Sequence, residues 1–299
     1  MLKVGVIGIG NIAQKAYLPV MATMHDQVEW HLFTRNQDKL AAVGKQQQFS
    51  HLHPSVDSLI DAGIDAAFVH APTAVHFDTI KQLLEADIHV YVDKPISDQI
   101  AETEALVALA KEKNLILTCG FNRRFAPHVQ ALKAIPDKKM ILIQKDRVQN
   151  FEDVRFAIYD LFIHILDAGL FLLDDPIEST HSTIIGKEGQ LKRIVLTIQT
   201  KETTCIVAMN YEAGANQEVM EVQSLAGIQR VVDLNERHIK TPAGEQVIRF
   251  GDWENTLVKR GFDGVIREFI TSLSTKLNPV SLDSALDSHR LCENLINNA

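Results

Sequence analysis

The feature that most constrains this chain is a six-residue turn near its start. Residues 8–13 read Gly-Ile-Gly-Asn-Ile-Ala, the pattern G-x-G-x-x-A, between an apolar β-type run and a helical pattern. Gly8 permits a tight turn, Gly10 lets backbone approach a pyrophosphate, and the small Ala13 lets helix and strand pack closely. The helix that follows offers unpaired N–H groups and a partial positive charge to phosphates, which adds Asn11 and Ile12 to the cofactor contacts. Such a turn belongs at the head of a strand–helix–strand unit.

The next hundred residues supply those units. Strands are expected over 2–10, 28–34, 49–53, 65–72, 89–95 and 115–121, with helices over 11–25, 36–47, 74–87 and 98–113. Alternation with largely apolar strands predicts an α/β fold, a Rossmann doubly wound parallel sheet covered on both faces. After residue 121 the rhythm changes. Strands over 140–148, 181–186, 191–200, 203–211, 218–225 and 228–234 follow one another closely, interrupted by a helix over 158–174 and closed by helices over 253–275 and 281–297. Short connections predict an α+β domain with a large open, mostly antiparallel sheet. The expected domains are a dinucleotide-binding domain, 1–121, and a substrate-binding and oligomerisation domain, 122–299.

Charge and cysteine content narrow the partners. A net charge of -8 argues against nucleic acid and anionic membranes as partners. The N-terminus lacks the apolar run and cleavage site of a signal peptide. Cys119, Cys205 and Cys292 are widely spaced and form no C-x-x-C pair, which fits a reducing cytoplasm. His51-x-His53 puts two imidazoles on one side of a short strand. With no third ligand in view, no metal is predicted.

The end of the second strand separates NAD from NADP. An NAD site places a carboxylate there for the ribose 2′-hydroxyl. Here the segment reads Leu32-Phe33-Thr34-Arg35-Asn36; Glu29 lies too early and Asp38 falls inside the next helix. A guanidinium binds a 2′-phosphate with paired hydrogen bonds and stacks on adenine. Thr34 and Arg35 therefore favour NADP(H), with NAD(H) as the alternative.

Three further segments accompany the glycine turn: Ala71-Pro72-Thr73 followed by His76, Val92-Asp93-Lys94-Pro95, and Asp160-Leu161-Phe162-Ile163-His164. Together they resemble the Gfo/Idh/MocA oxidoreductases, which include glucose–fructose oxidoreductase and inositol dehydrogenase. Gly120-Phe121-Asn122-Arg123-Arg124-Phe125 is similar to the family's junction segment, and Val154-Arg155-Phe156 before Tyr159-Asp160 resembles the MviM branch. The resemblance covers essentially the whole chain. It departs in two places: the family's Glu-Lys-Pro is Asp93-Lys94-Pro95 here, and the Gly-Gly pair often found before the helix aspartate is absent.

The resemblance implies hydride transfer between nicotinamide and a carbinol or carbonyl carbon of a sugar, cyclitol or related polyol. It makes Pro72, Thr73, His76, Asp93 and Lys94 part of the cofactor side. Lys94 is the first candidate to move the hydroxyl proton and His164 the second. On a helix, Asp160, His164 and Asp167 line one stripe, so Asp160 could orient the imidazole. Taken alone, Asp-x-x-x-His also fits a core histidine with a local cap. Asn122, Arg124, Tyr159 and Asp167 are candidate substrate contacts. The alternatives on the same fold are a non-catalytic nucleotide or sugar sensor, and a glycosidase-like enzyme using NAD transiently. The open face of the second sheet predicts a homodimer or homotetramer.

Overall fold

A computed structural model of the protein describes residues 1–149 and 151–298. The chain divides into two compact units. One holds Met1–Gly120 with Phe262–Asp287; the other holds Phe121–Gly261 and the chain from Ser288 onward.

The first unit begins with β1 (Leu2–Ile7), α1 (11–21), β2 (Val28–Phe33), α2 (Gln37–Gln47) and β3 (His51–His53). It continues with α3 (Val56–Asp61), β4 (Ala66–Val69), α4 (His76–Glu85), β5 (His89–Val92), α5 (Ile100–Glu112) and β6 (Leu117–Cys119). All pairings are parallel and the strand order is β3-β2-β1-β4-β5-β6. Every residue of β4 is buried, as a strand covered on both faces must be. The order reverses between β1 and β4, so the carboxyl ends of those strands frame a crevice.

The second unit contains α6 (Pro127–Lys133), β7 (Met140–Val148) and α7 (154–172), then strands β8 (Ile177–Lys187), β9 (Gln190–Thr200) and β10 (Thr204–Asn210). β11 (Glu212–Ser224), β12 (Gly227–Val232), β13 (Glu236–Thr241), β14 (Gly244–Arg249) and the short α8 (Thr256–Lys259) follow. Among the described residues its sheet has eight strands, ordered β14-β13-β12-β11-β7-β10-β9-β8. β7 and β10 run parallel and the other pairs antiparallel. The chain closes with α9 (Phe262–Thr275) and α10 (Leu282–Asn297).

The expected two-domain fold is therefore present, with corrections. The C-terminal part does not all belong to the second unit. α9 packs into the first, where the Phe269 ring stands edge-on to Phe68 at 4.9 Å and to Tyr91 at 5.5 Å. The helix expected over 253–275 breaks at Gly261, which has φ +79°, and a Cβ there would meet the Asn122 carbonyl oxygen at 2.1 Å. The β13–β14 hairpin and helices α3 and α6 were not foreseen. Among the described residues no helix is long and apolar enough to cross a membrane.

Candidate active site

The glycine turn leaves β1 at the switch point. Gly8 has φ +91°, and a Cβ there would stand 2.7 Å from the Ala71 backbone nitrogen. Only glycine fits both the dihedral and the approach of the β4 end. A Cβ on Gly10 would meet nothing within 4 Å, so the chain leaves open space where a phosphate backbone is expected. Ala13 is fully buried against the sheet. A π turn over Ala13–Tyr17 interrupts α1 just behind the fingerprint; such turns recur at functional sites.

A cleft of about 890 Å³ opens here. Its walls include Gly8, Gly10, Asn11 and Ile12 from the turn, Thr34 and Arg35 from the end of β2, and Ala71 and Pro72 from the end of β4. The dimensions and the glycine cradle fit a nicotinamide dinucleotide. Arg35 is exposed at the rim and Lys39, in the first turn of α2, is half-buried in the same wall. Sequence reading missed Lys39. The signal was present: a lysine in a helix's first turn opposes the helix dipole and calls for an anion nearby. His70, at the tip of the apolar strand β4, also lines the cleft and was missed.

Beyond β5, Asp93 and Lys94 are half-buried, and the Lys94–Pro95 peptide is cis. Asp93 is held from below. The Tyr17 hydroxyl donates to Asp93 Oδ1 at 3.0 Å, and the Tyr91 hydroxyl lies 2.9 Å from that of Tyr17. Because Tyr17 spends its proton on the carboxylate, Tyr91 is the donor of the pair. The His70 ring packs on Tyr17 at 3.9 Å between centroids, with Nδ1 3.9 Å from Asp93 Oδ2. Burial by itself would raise the Asp93 carboxyl, but His70, Lys94 and the Tyr17 hydrogen bond outweigh it and hold the group below its usual range. Burial, aided by Asp93, pushes the Tyr17 phenol well above its own.

Four residues of the cofactor set, Thr73, His76, Asp93 and Lys94, are not among those that line this cleft. His76 is buried, with Nδ1 2.9 Å from the Pro95 carbonyl oxygen and Nε2 2.8 Å from that of Ala71. It ties the Ala71–Pro72 turn to the segment after Lys94 and does not line the cleft. Thr73 opens the 3₁₀ turn beside it and also stays out of the cleft wall.

In the second unit, α7 is continuous but contains a π turn over Ile158–Phe162, so its residues do not keep the regular stripe expected of them. Asp160 and His164 are half-buried, while Asp167 is fully buried and faces the interior. Asp167 accepts from Arg124 Nη2 at 2.6 Å, from Arg124 Nε at 2.9 Å and from Ser288 Oγ at 2.9 Å. The Tyr159 hydroxyl donates to Glu293 Oε2 at 3.1 Å, and Asn122 Nδ2 donates to the Arg260 carbonyl at 2.7 Å. These four candidates for substrate contact are thus buried, with their polar ends bonded to protein groups.

Residues 2–121 match the family model described as "Oxidoreductase family, NAD-binding Rossmann fold", and residues 127–242 match "YceM-like, C-terminal domain". The chain is 31% identical to YceM of Salmonella typhimurium, over 98% of this chain and 97% of that one. It is 27% identical to an inositol 2-dehydrogenase/D-chiro-inositol 3-dehydrogenase of Lacticaseibacillus casei, over 97% of this chain and 89% of that one. The crystal structure of a dehydrogenase (MviM) from Clostridium difficile superposes with a TM-score of 0.93 at 29% identity, covering 100% of this chain and 99% of that one.

Proposed function

The chain belongs to the Gfo/Idh/MocA family of NAD-binding Rossmann oxidoreductases, and from that premise we propose an NADP(H)-preferring dehydrogenase or reductase of sugars, cyclitols or related polyols. The observation that carries the cofactor choice is the cleft wall after β2. It presents Arg35 and Lys39 and no carboxylate at the strand's end. Two cations favour a 2′-phosphate that an acidic residue would repel. The named activity of the Lacticaseibacillus relative supports a polyol substrate.

When bound, the nicotinamide supplies or accepts the hydride. The chain's own residues do the rest. Gly8, Gly10 and the start of α1 receive the pyrophosphate. Lys94 holds or takes the proton of the reacting hydroxyl and stabilises negative charge developing on that oxygen. Asp93, fixed by Tyr17, keeps the Lys94 segment in place. His164, half-buried on α7, is the second acid–base group of this proposal. The three cysteines are buried and no disulfide joins them, which suits a cytoplasmic enzyme. The second sheet carries half-exposed or exposed apolar side chains at Val195, Ile206 and Ile228 on one face, and that uncovered apolar face supports a homodimer or homotetramer.

The test is a titration of the apo protein with NADPH and, separately, NADH, followed by nicotinamide fluorescence. NADPH is expected to bind at least about tenfold more tightly, about 1.4 kcal/mol. Equal or better binding of NADH would remove the NADP reading and leave the oxidoreductase standing.

A further inference from the structure

Strand β2 and the edge strand β3 bring four side chains to one face. His31 and His51 are register partners in the parallel pair β2–β3, Glu29 lies two residues before His31, and His53 two residues after His51. The period of two places all of them on the same side of the sheet. The sequence alone showed His51-x-His53 without a third ligand; the pairing of β3 with β2 supplies it. We infer that Glu29, His31 and His51 form a binding site for a divalent transition-metal ion of the zinc, cobalt or nickel class.

The geometry carries this. One ligand atom from each residue lies within 4.8 Å of the other two. His31 Nε2 is already 2.8 Å from Glu29 Oε1, and the His51 ring stacks on His31 at 4.6 Å with 20° between planes. Ligands at about 2.0–2.1 Å from a tetrahedral zinc stand about 3.3 Å apart, so the exposed His51 needs to turn in by roughly 1.5 Å at most. His31 itself is 4% exposed and fixed by a relay behind it. Its Nδ1 lies 2.8 Å from His53 Nε2, and His53 Nδ1 lies 3.0 Å from Ser58 Oγ.

Metal-bound imidazoles characteristically donate their second N–H to an acceptor behind them, and His53 Nε2 stands in that place for His31. The relay has two proton arrangements. In one, Ser58 donates to His53, His53 to His31, and His31 Nε2–H to Glu29. In the other, His31 and His53 each donate from Nδ1 toward Ser58, and His31 Nε2 is left with a lone pair facing the Glu29 carboxylate. A cation between them satisfies both. Two imidazoles and one carboxylate suit a borderline ion and leave room for water. The ion would clip the three-residue strand β3 to β2, just before the cleft residues Thr34 and Arg35.

The test uses the full chain without a histidine tag, titrated with Co²⁺ by visible absorption and with Zn²⁺ by calorimetry. One equivalent per chain is expected, with ligand-field bands from Co²⁺. Binding should weaken at least tenfold in His51→Gln, an exposed position that leaves folding intact, and likewise in Glu29→Gln. Zn²⁺ should raise the thermal midpoint of the natural protein and not of His51→Gln. No saturation up to about 1 mM metal would overturn the inference. So would binding that both substitutions leave unchanged.

Discussion

Arg124 and Asp167 form a two-pronged ion pair inside the second unit, with N–O distances of 2.6 and 2.9 Å. The guanidinium carbon lies over the rings of Phe121 and Phe171, 5.6 Å from each centroid, and Ser288 donates to the carboxylate. Both ions are out of water, so removing one strands the other. Asp167→Asn is expected to cost about 3–5 kcal/mol of unfolding free energy. Urea unfolding measures it. A variant of unchanged stability that loses activity would return Asp167 to the reaction site.

Lys94→Ala should lower kcat by about 10²–10⁴ while cofactor affinity changes little, because the lysine's work is on the substrate proton. Stopped-flow turnover with a substrate found by screening polyols, together with NADPH titration, separates the two. An equal loss in cofactor binding would make Lys94 a binding residue.

Arg35→Ala and Lys39→Ala should each weaken NADPH by about tenfold and leave NADH nearly unchanged, since only NADPH carries the extra phosphate. Raised ionic strength should weaken NADPH binding by the natural protein and have less effect in the double variant. Identical losses for both cofactors would place these residues on shared parts of the ligand.

The contrast between the two units explains what was legible. Gly8, Gly10 and Ala13 are read directly because each answers a backbone requirement that no other residue type meets well. Arg35 follows from the same frame by its distance along the chain. His76 and Arg124 match motif segments and Asp167 falls at helical spacing from Asp160, but neither signal says whether a polar tip turns to a cleft or to a protein group. The π turns in α1 and α7 add a residue to a helical turn without any composition signal, so Asp160, His164 and Asp167 do not keep one stripe. The β13–β14 hairpin escaped because Ile239 and Val247 stand among charged neighbours such as Lys240 and Glu245, which mask its alternation. Phe269 gives no hint in sequence that α9 belongs to the first unit.

Glu218 is expected to contribute to the acid limit of the second unit. It is buried and accepts from Arg123 Nε and Nη2, each at 2.6 Å, and from Lys145 Nζ at 2.8 Å. Burial alone would raise its carboxyl, but Arg123 and then Lys145 overcome this and hold it far below the ordinary value of 4.5. Lys145 does not gain in the same way: burial and the neighbouring Arg123 outweigh its share of Glu218 and lower its ammonium to about 8. Below pH 4.5 the unfolded chain takes up a proton at Glu218 that the folded one refuses, so stability falls as pH drops. Between about 8 and 10.5 the unfolded chain again holds more protons, now at Lys145, so this group's contribution rises with pH. Glu218→Gln should lower stability at pH 7, because two buried cations lose their counter-charge, and should flatten the slope below pH 4.5. Urea unfolding of both proteins from pH 3 to pH 7 checks this, and parallel curves would show that another carboxylate governs the acid transition.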